Sequence, residues 1–387
     1  MDRVSVYETE DLGSSPCWGI LLFEKDYLMK IFDGSKGKMC ISEDYNFIFD
    51  KVTGQFARWG KTKEDDPVMS IYGPEILDLE ISDGTCLGKC KFCYKSNGNS
   101  GLSHHMTLDE FKIILDKMPK TLTQIAFGLT DCHANPDFIA MMEYSRSKGI
   151  IPNYTTHGLD VTKDIVEATQ RLCGAVAVSI VDREKSYDAI KAFTDAGMNQ
   201  TNIHYMLSEE TYQHAFSIVE DISSDPRLSG MRAIVFLQYK AKGRHTDAFN
   251  AISDPKKYKD LIEYCDRKGV SYGFDSCSAP LFFTAIADDE DKKRLAMYGE
   301  PCESALFSSY INCRGFFFPC SFSENEGEWT EGIDVLNCDD FVQDVWMHDR
   351  IKEWRDRLIP SSSDCVCEFS SMCRSCPIYE ITACKKG

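Results

Sequence analysis

From residue 76 to residue 274, short apolar runs alternate with amphipathic stretches, and this alternation restricts the fold more than any other feature of the chain. The candidate strands are 76–82, 124–129, 152–156, 175–181, 202–207, 233–239 and 270–274. The stretches between them carry helix-start signals. Thr107-Leu108-Asp109-Glu110 reads as a capping box, Thr162 opens a second helix, and Asn135-Pro136-Asp137 begins a third. Strands separated by a helix pair in parallel through right-handed crossovers, which leaves a barrel or an open α/β sheet. In a parallel barrel the chemistry gathers at the C-terminal ends of the strands.

The flanks differ. Residues 1–75 hold short apolar runs, at 18–23 and at Tyr45-Asn46-Phe47-Ile48-Phe49, separated by Asp, Gly and Ser turns; this predicts hairpins and no helical recognition domain. After about residue 285 the periodicity fades into loops with Gly, Ser and cysteine, the pattern of a small domain held by metal rather than by a large apolar core. The 43% hydrophobic fraction is normal for a soluble globular chain. No apolar run approaches the ~18–20 residues of a membrane span, and the start, Met1-Asp2-Arg3-Val4, lacks a signal-peptide layout. We expect a cytoplasmic protein with no membrane contact. A net charge of −18 disfavours nucleic-acid partners. Lys89, Lys91 and Lys95 form a weak basic patch that is either solvated or set against an acidic peptide.

Eighteen cysteines exceed what packing needs. With no signal peptide, metal ligation is the better reading than disulfides. Three of them stand in Thr85-Cys86-Leu87-Gly88-Lys89-Cys90-Lys91-Phe92-Cys93-Tyr94, directly after the first candidate strand. Three thiolates in one short loop suit three irons of a 4Fe–4S cluster and leave the fourth iron open for chemistry. Zinc fits less well, because it takes four ligands and the triplet offers three.

A first strand followed by Cys-x3-Cys-x2-Cys, with Phe92 before the last cysteine, resembles the signature of the radical S-adenosylmethionine (SAM) superfamily. The resemblance implies a partial (β/α)6 TIM-like barrel over 76–285, between a β-rich N-terminal segment over 1–75 and a small cysteine-rich domain over 286–387. It also implies that SAM is cleaved reductively to a 5′-deoxyadenosyl radical, which takes hydrogen from a substrate. The cofactor then supplies the hard chemistry and the protein supplies orientation and exclusion of water. An electron donor such as flavodoxin or ferredoxin is expected.

Further positions align by element. The family's Gly-Gly-Glu-Pro after the second strand corresponds to Phe127-Gly128-Leu129-Thr130-Asp131-Cys132, where one glycine is kept and the rest is altered. Thr156-His157-Gly158 matches the third-strand Thr-Asn-Gly, and Ser179 matches a serine at the end of the fourth strand. The resemblance thus implies SAM contacts at Phe92, Tyr94, Gly128, Thr130, Thr156, His157 and Ser179. On the residues alone, Gly158 only makes a turn and Ser179 only caps a helix.

At the other end of the chain, Cys302-x12-Gly315-x4-Cys320 is followed by Cys365-x-Cys367-x5-Cys373-x2-Cys376-x7-Cys384. This resembles the SPASM extension of radical SAM enzymes, with two gaps one residue shorter. The extension implies two auxiliary 4Fe–4S clusters, giving electrons a destination. Cys302, Cys320 and Cys376 would hold the first, with Cys313 as its fourth ligand or with that iron open. Cys365, Cys367, Cys373 and Cys384 would hold the second. A pair of zinc sites is the alternative. Gly315 is expected to serve a turn.

SPASM enzymes most often modify peptides, so a peptide-modifying maturase or oxidoreductase is expected, making a thioether or carbon–carbon link or epimerising a residue. Ser321 stands where sulfatase-maturating relatives carry an aspartate, which disfavours formylglycine chemistry. Cys132 and Cys277, near strand ends, are candidate hydrogen donors or else small buried hydrophobes. Asp131, His133, His157 and Asp275 are candidate proton acceptors or turn formers. Two alternatives stay open: radical SAM chemistry on a small molecule or nucleoside, and a non-catalytic metal-binding protein.

Overall fold

A computed structural model describes residues 29–359 apart from 63, 64, 98–102 and 245, together with 369, 374–379 and 381. The apolar run 18–23 and Cys365, Cys367, Cys373 and Cys384 lie outside the described residues. The chain divides into two compact units, up to Ser70 and from Ile71 onward.

The first unit is an antiparallel meander of β1 (Lys30–Asp33), β2 (Gly37–Ile41), β3 (Asn46–Asp50) and β4 (Phe56–Trp59), paired in that order. The expected hairpins are present. Alternation along β3 buries Phe47 and Phe49 and exposes Ile48, as a half-buried strand requires. Phe47 stacks on Phe56 with ring centroids 5.3 Å apart.

In the second unit strand and helix alternate as the sequence predicts. The elements are β5 (Ile76–Glu80), α1 (Leu108–Lys117), β6 (Gln124–Gly128), α2 (Phe138–Ser147), β7 (Ile151–Thr156), α3 (Lys163–Leu172), β8 (Val176–Ser179), α4 (Arg183–Asp195), β9 (Thr201–Leu207), α5 (Tyr212–Ser224), β10 (Ala233–Gln238), α6 (Pro255–Lys268), β11 (Tyr272–Phe274) and α7 (Ala279–Ile286). Strands β5 to β11 pair side by side, all parallel. The helices bury one face each. In α3 the buried residues are Ile165, Ala168, Thr169 and Leu172, spaced at i, i+3, i+4 and i+7.

Two helix starts depart from simple capping. At α1 the box forms: Thr107 Oγ1 accepts from the Glu110 N–H at 3.2 Å, and Glu110 accepts from the Thr107 N–H at 2.8 Å. Thr162 precedes α3 but makes no cap bond; its hydroxyl donates to Asp164 at 2.5 Å instead. Asp137 precedes α2, yet its carboxylate accepts from the Leu108 N–H of α1 at 3.1 Å, so it ties two helix starts together.

The remainder is more regular than fading periodicity suggests. After α8 (Lys292–Leu295) come β12 (Ser308–Ile311), β13 (Phe316–Phe318), β14 (Ile333–Asp334) and α9 (Asp349–Leu358). Strand β12 pairs parallel with β5, and β13 and β14 follow antiparallel, so the sheet continues to ten strands. Asn312-Cys313-Arg314-Gly315 turns β12 into β13. Gly315 has φ 80° there, and a Cβ on it would lie 2.6 Å from Leu336 Cγ; both conformation and space require glycine. Lys117, at the end of α1, donates to the carbonyls of Val335, Leu336 and Cys338 at 3.0, 2.6 and 2.7 Å. Among the described residues, no helix is long and apolar enough to cross a membrane.

Candidate active site

The cysteine loop leaves the C-terminal end of β5, where parallel strands place their chemistry. Cys86 and Cys90 close around Gly88: a methyl on Gly88 would lie 3.5 Å from either sulfur and 3.0 Å from His157 Cδ2. Cys90 and Cys93 are joined by a turn, the Cys93 N–H donating to the Cys90 carbonyl at 3.2 Å. Burial, then the neighbouring Cys93 and Cys86, pushes the Cys90 thiol up to about 11. A thiol raised in this way holds its proton until a metal replaces it. No described cysteine is in a disulfide.

The ends of β6 and β7 brace the loop. The Cys86 thiol points at the Thr130 carbonyl, 3.5 Å away. Asp131 Oδ1 accepts from the Leu87 N–H at 2.9 Å and from His157 Nε2 at 2.6 Å. Thr130 is itself fixed by Ser82, whose hydroxyl oxygen accepts from the Thr130 N–H at 3.0 Å. Burial lowers the His157 pKa, while the bond to Asp131 and the nearby Cys86 raise it, with a net rise to about 9. The Leu159 N–H, 3.0 Å from Nδ1, nevertheless needs an unprotonated nitrogen. Cys86 bound to iron would also cease to attract a proton to the ring. We assign a neutral imidazole that donates from Nε2 to Asp131.

Cys86, Asp131 and His157 bring three ligand atoms within 4.8 Å of one another. Asp131 and His157 are already spent on each other and on the loop, so this trio favours bracing over holding a single ion. The three-thiol set, with no fourth protein thiol beside it among the described residues, suits a cluster with one open iron.

The other candidates separate. Thr156 is buried; its Oγ1 accepts from the Gly158 N–H at 3.1 Å and from the Cys132 thiol at 3.4 Å. Ser179 ends β8, and its carbonyl accepts from the Ser186 hydroxyl at 3.4 Å. Gly128 packs its Cα side on Glu80 of β5. Phe92 meets Phe249 edge-on at 6.0 Å, and Tyr94 stacks on Phe322 at 4.4 Å. Cys132 is buried behind the brace, and burial pushes its thiol up strongly. His133 turns outward to Thr162, 2.8 Å from its hydroxyl. Asp275 is spent on structure, accepting from the Gln238 and Ser278 N–H groups at 3.1 and 2.9 Å. Cys277 and Cys313 fall in different places: Cys277 stands beside Lys240 and Cys320, Cys313 beside Glu80, Asp83 and Arg314.

Sequence reasoning misses a buried ion cluster beside the loop. Lys95 is not solvated. Its Nζ lies 3.1 Å from Glu80, contacts Glu324, and donates to the Tyr310 hydroxyl at 2.5 Å. Asn312 donates to Glu324 at 2.7 Å. Lys89 and Lys91 are exposed. The segment after β10 escapes it as well. The Arg244 N–H donates to the Cys93 carbonyl at 3.0 Å, and Lys242 donates to the carbonyls of Phe322, at 3.0 Å, and Glu324. Glu324 lies 229 residues from Lys95, so no local pattern marks this pairing.

No protein-family model matches the chain, and no curated protein does. Solved structures do. SuiB of Streptococcus suis bound to precursor peptide SuiA is similar over 90% of this chain and 95% of that one, with a TM-score of 0.67 and 12% identity. SuiB bound to S-adenosylmethionine is similar over 79% and 73%, at 0.62 and 15%. The protein anSMEcpe with bound AdoMet and the Cp18Cys peptide is similar over 78% and 88%, at 0.56 and 13%. At these identities the likeness shows the fold. The chain shares the mixed α/β architecture of these structures, with a β-rich N-terminal region and a central parallel sheet.

Proposed function

We propose that the chain is a radical SAM enzyme that modifies a peptide. The observation that carries this reading is the grouping of Cys86, Cys90 and Cys93 at the C-terminal end of β5, braced by Thr130, Asp131 and His157. When bound there, a 4Fe–4S cluster and SAM supply one-electron chemistry that removes a hydrogen atom from substrate. The protein's part is positioning. Asp131 fixes the loop backbone at Leu87 and orients His157. Gly128, Thr130, Thr156 and Ser179 stand at or just after the ends of β6, β7 and β8, the end of the sheet at which SAM would lie. Tyr94, stacked on Phe322, and Phe92, against Phe249, anchor the chain on either side of Cys93.

A peptide is the favoured substrate because two structures of this fold, SuiB and anSMEcpe, were each solved with a peptide bound. The region from 286 would add auxiliary iron–sulfur clusters, with Cys302, Cys320 and Cys376 in one and Cys365, Cys367, Cys373 and Cys384 in a second. A thioether link, a carbon–carbon link or epimerisation are the outcomes such an enzyme would produce. The test is anaerobic incubation with SAM, a reductant and the peptide from any short neighbouring reading frame, read by mass spectrometry. A product lighter by two hydrogens marks a cross-link, and deuterium uptake from D2O marks epimerisation. SAM cleavage without any change in such peptides would remove the peptide reading.

A further inference from the structure

A second set of thiols lies away from the loop. Cys277 follows β11, Cys302 precedes β12, Cys320 follows β13, and Cys376 belongs to the C-terminal segment. All four line one cavity of about 320 Å³. Cys302 has Cys277, Cys320 and Cys376 as neighbours, and Cys277 has Cys320. Cys313 is not in this wall. Its sulfur accepts from Arg314 Nη1 at 3.5 Å and neighbours Asp83 and Glu80.

The spacing of the four thiols bears on what they hold. Metal–sulfur bonds of ~2.3 Å in a tetrahedral zinc site bring the sulfurs within ~4 Å of one another. Among the described residues, the only three ligand atoms within 4.8 Å of one another belong to Cys86, Asp131 and His157. The cavity thiols are therefore too spread for one ion, and the space they line has room for a polynuclear cluster. A buried cation stands beside them. Lys240 is 6% exposed, neighbours Cys277 and Cys320, and lies 3.6 Å from Asp275 and 4.0 Å from the Phe322 ring centroid. An ammonium group there would offset part of the charge of four thiolates, and a cation near sulfur is a lever on cluster potential.

We propose that Cys277 is the fourth protein ligand of the auxiliary cluster held by Cys302, Cys320 and Cys376. This rests on the iron–sulfur reading above. It takes the ligand role from Cys313 and the hydrogen-donor role from Cys277. It also closes the cluster. With four thiolates no iron is left for a substrate sulfur, and the cluster serves electron transfer.

The test isolates the auxiliary clusters in full-length protein carrying Cys86→Ala, Cys90→Ala and Cys93→Ala. Cys277→Ala, Cys277→Ser and Cys313→Ala are each added to that parent. After anaerobic reconstitution, iron and sulfide are counted and EPR spectra of the reduced protein are recorded with and without cyanide. Cys277→Ala is expected to lose up to one cluster, ~4 iron atoms per chain, or to keep a cluster whose spectrum shifts on adding cyanide. Cys277→Ser preserves size and offers oxygen, so it is expected to alter the spectrum in a chain whose circular dichroism matches the parent. Cys313→Ala is expected to keep the parent's iron count and spectrum. If both Cys277 variants keep the parent's iron count and a cyanide-insensitive parent spectrum, the inference is overturned. If the parent binds no iron and sulfide, the iron–sulfur reading falls with it; if it holds clusters that Cys277 does not affect, only the inference falls.

Discussion

An alanine methyl at position 243 would lie 2.3 Å from the Cys93 carbonyl oxygen and 2.5 Å from that of Tyr94. Gly243 also has φ 75°, a conformation that costs an L-residue ~1–2 kcal/mol. Gly243→Ala should therefore push the third cysteine of the loop out of place and lower the iron retained after anaerobic reconstitution; a wild-type iron content would contradict this. Lys95 is the second residue on which the loop depends. It is the shared partner of Glu80 and Glu324, with side chains 14%, 7% and 12% exposed. Removing one partner of such a buried set costs about 3–5 kcal/mol, so Lys95→Met should lower the denaturant midpoint strongly. Burial raises the Glu324 pKa, but Lys95 and Asn312 bring it below its ordinary value. A carboxyl with a depressed folded pKa stabilises above its unfolded pKa, ~4.3, and loses that contribution as pH falls through the folded value. The deficit of Lys95→Met should accordingly be largest above about pH 4.3 and shrink below it. A deficit that grows with acid would count against the pairing.

Elements with strong periodicity are legible in the sequence. The seven parallel strands fall where alternation with amphipathic helices predicts them, because each helix must bury one stripe and each strand must bury the face that the helices cover. The capping box at Thr107 is a local signal with a local cause, and Thr107→Ala should cost about 1 kcal/mol of unfolding free energy, read from denaturant titration. No change would mean that α1 is held by packing and by Lys117 alone. Strands β12 to β14 are not legible. They run two to four residues, too short for a period to show, and they exist because β5 offers an open edge. Thr162 and Asp137 show the same limit from the other side, since each is a good capping residue diverted by a partner other than its own helix's backbone.

Across the whole molecule, the Cys86–Cys90–Cys93 loop is legible because its three cysteines lie within eight residues, whereas groupings built from distant segments are not. Cys277 comes to the cavity of Cys302, Cys320 and Cys376 only through the fold, and nothing in its own stretch of sequence sets it beside them. Lys95 reads as a surface charge until β5 and the segment after β13 enclose it. Lys95 stands between Glu80 and Glu324, and Lys240 beside Asp275, so each of these buried cations is matched by a carboxylate from another segment. The central claim is that the braced triplet generates radical chemistry from SAM. It is tested most directly by measuring 5′-deoxyadenosine after anaerobic incubation of the reconstituted protein with SAM and dithionite, in wild type and in Cys93→Ala. The account predicts 5′-deoxyadenosine from the wild type and background levels from Cys93→Ala; equal product from both, or none from a wild type loaded with iron and sulfide, would contradict it.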